Sequence, residues 1–67
     1  MKVYVEKVRL EKGLSLSELS RKSGVAKSHI SNIECGLKYP TLPTLCKIAN
    51  ALGVPASELF SCDDERS

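Results

Sequence analysis

The stretch Leu16-Ser17-Glu18-Leu19-Ser20-Arg21-Lys22-Ser23-Gly24-Val25-Ala26-Lys27-Ser28-His29-Ile30-Ser31-Asn32-Ile33-Glu34-Cys35 reads as two short helices with a sharp turn between them. Ser15 precedes it, and Glu18 follows Ser15 by three residues. That pattern is a capping box, in which the Ser hydroxyl accepts from the Glu18 amide and the Glu carboxylate reaches back to the cap amide. Leu14 and Leu19 flank it at the spacing of a hydrophobic staple. A helix over about 16–22 follows from these signals. Ser23-Gly24-Val25 interrupts it, because Gly24 takes a positive φ at no steric cost. A second helix, over about 26–34, then places Ile30 and Ile33 on one face. Helices joined this closely must cross steeply. Leu19, Val25, Ile30 and Ile33 supply the apolar contact, and Ser20 is the small residue where the two approach. The second helix is left projecting, with one face uncovered.

Working outward, Val5 and Val8 share a face of a preceding helix over about 2–12, and Gly13 stops it. Downstream, Gly36 ends the projecting helix. Leu37-Lys38-Tyr39-Pro40 cannot be regular helix, because Pro40 restricts the residue before it. Thr41 caps a helix over about 42–52, with Pro43 harmless in its first turn. Leu42, Leu45, Ile48, Ala49 and Leu52 form its apolar stripe, and Gly53 ends it. Pro55 opens a short last helix through Glu58, Leu59 and Phe60. With 67 residues there is no room for a second core, and 42% hydrophobic residues suffice for one. The expectation is an all-α fold: one domain over 1–61, then a polar, acidic tail over 62–67.

Charge is unevenly distributed. Residues 1–57 carry a net +5 and residues 58–67 a net −3, so a basic body precedes an acidic end. A basic body suits a polyanionic partner, although a solvated surface has the same composition. No apolar run approaches the roughly 20 residues that span a bilayer. The first residues lack a signal-peptide core. A cytoplasmic location with no membrane partner is expected. Cys35, Cys46 and Cys62 are odd in number and widely spaced, which does not suggest a disulfide framework. With His29 they lack the paired Cys-x2-Cys of a zinc site, so no metal or cofactor is expected. Cys46 reads as a small core residue of the fourth helix. Cys35 and Cys62 stay open as oxidation sensors if exposed, with nothing in the sequence marking a lowered thiol pKa. One His, no phosphate-binding Gly-rich loop and no evident acid/base pair argue against an enzyme.

At Glu11-Lys12-Gly13-Leu14-Ser15-Leu16-Ser17-Glu18-Leu19, Ser23-Gly24-Val25 and Ile30-Ser31-Asn32-Ile33-Glu34-Cys35-Gly36 the sequence resembles the Cro/C1 (XRE-type) helix-turn-helix regulators. Pro40-Thr41-Leu42, Lys47-Ile48-Ala49, Ala51-Leu52-Gly53-Val54 and Glu58-Leu59-Phe60 extend the likeness over about residues 5–60. Ser15 to Leu19 together with Gly24 to Ser28 resemble the SinR-type repressors of spore-forming bacteria. The resemblance implies a five-helix, lambda-repressor-like domain whose third helix enters the DNA major groove. It implies base contacts from Lys27, Ser28, Ser31 and Asn32. The chemistry suits them: Lys donates to guanine, Asn pairs with adenine, and Ser tolerates several base edges. Backbone contacts are expected from Ser17 at open helix amides, from His29, from Lys38 and Tyr39 in the loop, and from Thr44 and Lys47. Arg9 and Glu34 match a structural pair bridging the first and third helices, and Gly24 makes the turn.

Two residues depart from the pattern. Leu16 stands where Gln is common, and Cys35 where Arg or Lys is common; each removes a DNA contact. A single module covers one half-site, so a homodimer on a palindromic operator is expected. The dimer surface is expected near Val54, Leu59 and Phe60, unless Leu59 and Phe60 close the monomer core. No separate ligand-sensing domain fits in this length, so repression or activation by occupancy alone, or through a regulatory protein partner, is expected, unless the chain is a fragment of something longer. The alternative is a protein-interaction module of the same fold, acting as partner or antagonist of another regulator. Lys27, Ser28 and Asn32 together on an open face argue for DNA.

Overall fold

A computed structural model of the chain describes residues 2–61. The acidic tail over 62–67, with Cys62, lies outside the described residues. The chain order is β1 (Lys2–Val3), α1 (Val5–Glu11), α2 (Leu16–Ser23), α3 (Lys27–Glu34), α4 (Leu42–Leu52), a 3-10 turn (Ala56–Glu58) and β2 (Phe60–Ser61).

The helix starts follow their caps. Ser15 caps α2 through both halves of the capping box. Thr41 caps α4, its Oγ1 accepting from the Thr44 amide at 3.4 Å. At the end of α3 the Leu37 amide donates to the Asn32 carbonyl at 2.9 Å and the Gly36 amide to Ile33 at 3.2 Å. That pair of bonds is a Schellman stop, which requires the positive φ that Gly36 adopts, +82°.

The core is one cluster. Val5 and Val8 of α1, Leu19 of α2, Val25 of the turn and Ile30 and Ile33 of α3 meet Leu45, Ile48, Ala49 and Leu52 of α4, with Leu59 closing the C-terminal side. Ile48 is fully buried, so truncating it to Ala would cost about 2–5 kcal/mol.

Four expectations need correction. Residues 2–4 are not helical: Lys2 pairs with Ser61 and Val3 with Phe60, antiparallel, and the Tyr4 amide donates to the Leu59 carbonyl at 2.7 Å. No Ser, Thr, Asp or Asn stands there to cap a helix, so strand pairing satisfies these backbone groups instead. The fifth helix is a single 3-10 turn, because Leu59 must enter the core and Phe60 must pair with Val3; the all-α class holds. Leu42 does not join the stripe of α4 and is 71% exposed at the first helical position. Cys46 is exposed rather than a core residue. It follows Leu45 by about 100° of rotation, which carries it off the buried face.

Candidate nucleic-acid interface

The reader candidate, α3, is held from below by Ile30 and Ile33, both essentially buried. At about 100° per residue, Lys27, Ser28, Ser31 and Asn32 share an arc roughly opposite these two. Lys27 and Ser28 are exposed; Ser31 and Asn32 are half-buried, as is His29. The four candidate base-contacting side chains therefore lie on one face of one helix. Cys35 follows at the helix end, exposed.

Three devices fix α3 in place. At its C-terminal end Arg9 forms a two-pronged ion pair with Glu34: Nε donates to Oε2 at 2.8 Å and Nη2 to Oε1 at 3.2 Å. Nη1 donates to the Leu14 carbonyl at 2.8 Å, so one guanidinium ties α1, the loop after it and α3 together. The side chains are 10% and 7% exposed, and the hydrogen bond to Glu34 raises the Arg9 pKa against the opposing effect of desolvation. At its N-terminal end, the α2–α3 turn is closed by Gly24 at φ +75°, whose amide donates to the Ser20 carbonyl at 2.9 Å. Two serine hydroxyls complete it. Ser20 Oγ donates to the Val25 carbonyl at 2.7 Å, and Ser23 Oγ accepts from the Val25 amide at 3.2 Å. Sequence reasoning missed both roles; Ser23 two residues before Val25 is the spacing of a Ser side-chain turn and was the available signal.

The flanking donors are placed as follows. Lys38 and Tyr39 are exposed in the loop that the Gly36 stop turns outward. Lys47 is exposed on α4, and Thr44 is half-buried in its first turn. Thr41 Oγ1 donates to Thr44 Oγ1 at 3.0 Å, which leaves the Thr44 hydroxyl proton free to point outward. Ser17 is exposed at the start of α2. That end is less open to anions than free amides alone suggest. Glu18 Oε1 accepts from the Ser15 amide at 2.9 Å, and this bond lowers the Glu18 pKa, fixing a negative charge beside Ser17. Leu16 packs partly buried against the core. Val54 and Phe60 are half-buried, whereas Leu59 is fully buried and leaves the expected dimer surface. Among the described residues no group of three or more His, Cys, Asp or Glu converges, and no helix is long and apolar enough to cross a membrane.

Comparison with known proteins places this geometry in a family. A helix-turn-helix family model matches residues 5–59. The chain is 41% identical over 59 residues to an uncharacterized HTH-type transcriptional regulator, y4dJ, of Sinorhizobium fredii, covering 88% of this chain and 77% of that one. The N-terminal DNA-binding domain of SinR from Bacillus subtilis superposes with a TM-score of 0.80 at 42% identity, over 91% of this chain and 90% of that domain. The restriction-modification controller protein C.AhdI of Aeromonas hydrophila gives a TM-score of 0.80 at 34% identity, over 84% and 85% of the two chains. The chain spans about half the length of the SinR proteins it matches. From the start of α1 to Leu59, the chain belongs to the helix-turn-helix family of Cro/C1 (XRE) type, a class of transcriptional regulators and not of enzymes.

Proposed function

We propose that this protein is a sequence-specific DNA-binding transcriptional regulator, a repressor that reads a palindromic operator as a homodimer. The observation that carries the reading is the open face of α3. Lys27, Ser28, Ser31 and Asn32 lie together on a helix whose two ends are pinned to the rest of the domain. Lys27 donates to guanine O6 or N7, Asn32 pairs with adenine, and the two serines adjust to neighbouring edges. Ser17, His29, Lys38, Tyr39, Thr44 and Lys47 are the backbone-contacting set, which fixes register without reading sequence. Two copies place their α3 helices about 34 Å apart on adjacent major grooves. Val54 and Phe60 are the half-buried apolar residues available to that contact. A DNA partner implies a cytoplasmic location.

A second reading is a module of the same fold that binds another regulator. Leu37, Tyr39 and Leu42 favour it, since these three large apolar side chains are 63–74% exposed within six residues. Selection from a random duplex library at fixed, moderate salt separates the two. Enrichment of a short inverted repeat supports the dimeric operator reader. No enrichment by folded protein removes that reading and leaves the interaction module.

A further inference from the structure

The serine clamp on the α2–α3 turn has a consequence for base readout. Ala26, the residue before α3, makes no side-chain cap bond, so nothing local to α3 fixes where the helix begins. What fixes it is α2. Both backbone groups of Val25 are taken by α2 side chains, its carbonyl by Ser20 Oγ at 2.7 Å and its amide by Ser23 Oγ at 3.2 Å. Ser23 Oγ also lies 3.5 Å from the Ser20 carbonyl, so the two hydroxyls and the Val25 peptide groups close one network. Val25 itself is buried. Its carbonyl, without Ser20, would be a partly buried acceptor with no partner. Ser is also a poorer helix former than Ala, so its place inside α2 costs helix propensity and is offset by this bond.

We propose that Ser20 is a positioning residue for base readout: its hydroxyl, with that of Ser23, holds the Val25 peptide groups against α2 and sets the angle at which α3 leaves the turn. This rests on the DNA-reading function proposed above. An eight-residue helix is about 12 Å long, and Arg9 holds its far end through Glu34, so a tilt of roughly 10° about that end moves its first residues, Lys27 and Ser28, by about 2 Å. Base contact by the short Ser28 side chain tolerates about 0.5 Å of such error. Phosphate contacts by long, exposed Lys38 and Lys47 follow the backbone through that shift. Ser20 therefore controls discrimination between sequences and not general attraction to DNA.

The test compares wild type with Ser20→Ala on the selected operator and on a scrambled duplex of equal length, at one salt concentration. Circular dichroism melts establish how much of each variant is folded. The expected result is a three- to tenfold fall in the operator-to-scrambled affinity ratio, roughly the effect of one hydrogen bond. Affinity for the scrambled duplex and its salt slope stay at wild-type values. An unchanged ratio, or an equal loss on both duplexes, overturns the proposal. Should Ser20→Ala melt below the assay temperature, Ser23→Ala removes the other half of the clamp and must lower the same ratio; an unchanged ratio there overturns it equally. If wild type itself selects no operator, the DNA reading fails and this inference falls with it. If wild type selects one and the variants discriminate normally, only the positioning role fails.

Discussion

Asn32 and Glu34 stand two residues apart on α3 and divide its work. Asn32 is half-buried on the open face, and its amide can meet an adenine edge in both directions. Asn32→Ala should weaken operator binding by about 1–3 kcal/mol and relax preference at one base position, as read by competition against operators altered one base at a time. Glu34 faces the other way, onto Arg9. Glu34→Ala leaves a nearly buried guanidinium unpaired, and thermal melts should show a loss of about 3–5 kcal/mol. The double change Arg9→Met, Glu34→Leu should recover most of that loss, because the cost belongs to the stranded charge and not to the missing attraction. Cys46 and Leu42 show the same logic in reverse. Cys46 directly follows the buried Leu45 and Leu42 precedes it by three residues, yet both side chains are turned out to solvent.

At the scale of the element, α2 and α4 start where their caps place them, and α3 stops where Gly36 turns. The capping box of α2 also makes its start sensitive to acid. The amide of Ser15 bonds the carboxylate of Glu18 and holds its pKa below the ordinary value of about 4.3. A group with a lowered folded pKa is protonated first in the unfolded chain. Its contribution is therefore present above the unfolded pKa and lost as pH falls through the folded one. Melting temperature should fall on acidification below about pH 5 in wild type, and Glu18→Gln, which keeps an acceptor but cannot titrate, should flatten that part of the curve. An identical slope in the variant would assign the acid sensitivity to other carboxylates. The ends of the molecule obeyed different rules. The expected helical start at residues 2–4 had no capping residue, and the expected fifth helix had only one turn before Leu59 and Phe60 were needed elsewhere.

For the whole molecule, the basic body matters through counterion release. Each phosphate that a lysine neutralises adds about 0.9 to the salt slope of binding to duplex DNA. Lys38→Ala should weaken binding to every duplex alike and reduce that slope by about one, as measured by titrations at several salt concentrations. This is the signature opposite to that of Asn32→Ala, and the pair separates attraction from reading. Of the three residues expected at a dimer surface, Leu59 is buried and only Val54 and Phe60 stay partly exposed, so the proposed dimer would draw on less area there than the C-terminal sequence suggests.

By itself the sequence determined the local grammar: the box at Ser15 and Glu18, the turn at Gly24, the stop at Gly36, the cap at Thr41 and the apolar spacing of Leu19, Ile30, Ile33, Leu45 and Ile48. These are short-range effects, in which a side chain acts on backbone groups within a turn or two, so spacing alone reveals them. It also carried the candidate reading face, because helical period decides which residues oppose Ile30 and Ile33. The rest needed chain segments far apart to meet. Val3 pairs with Phe60 across nearly the whole length of the chain, and Leu59 takes its place in the core only because α1 and α4 leave it one. Arg9 and Glu34 stand 25 residues apart and meet only once α1 lies against α3. Such contacts depend on the relative placement of elements, which no local period encodes, and they decide how steadily α3 is held.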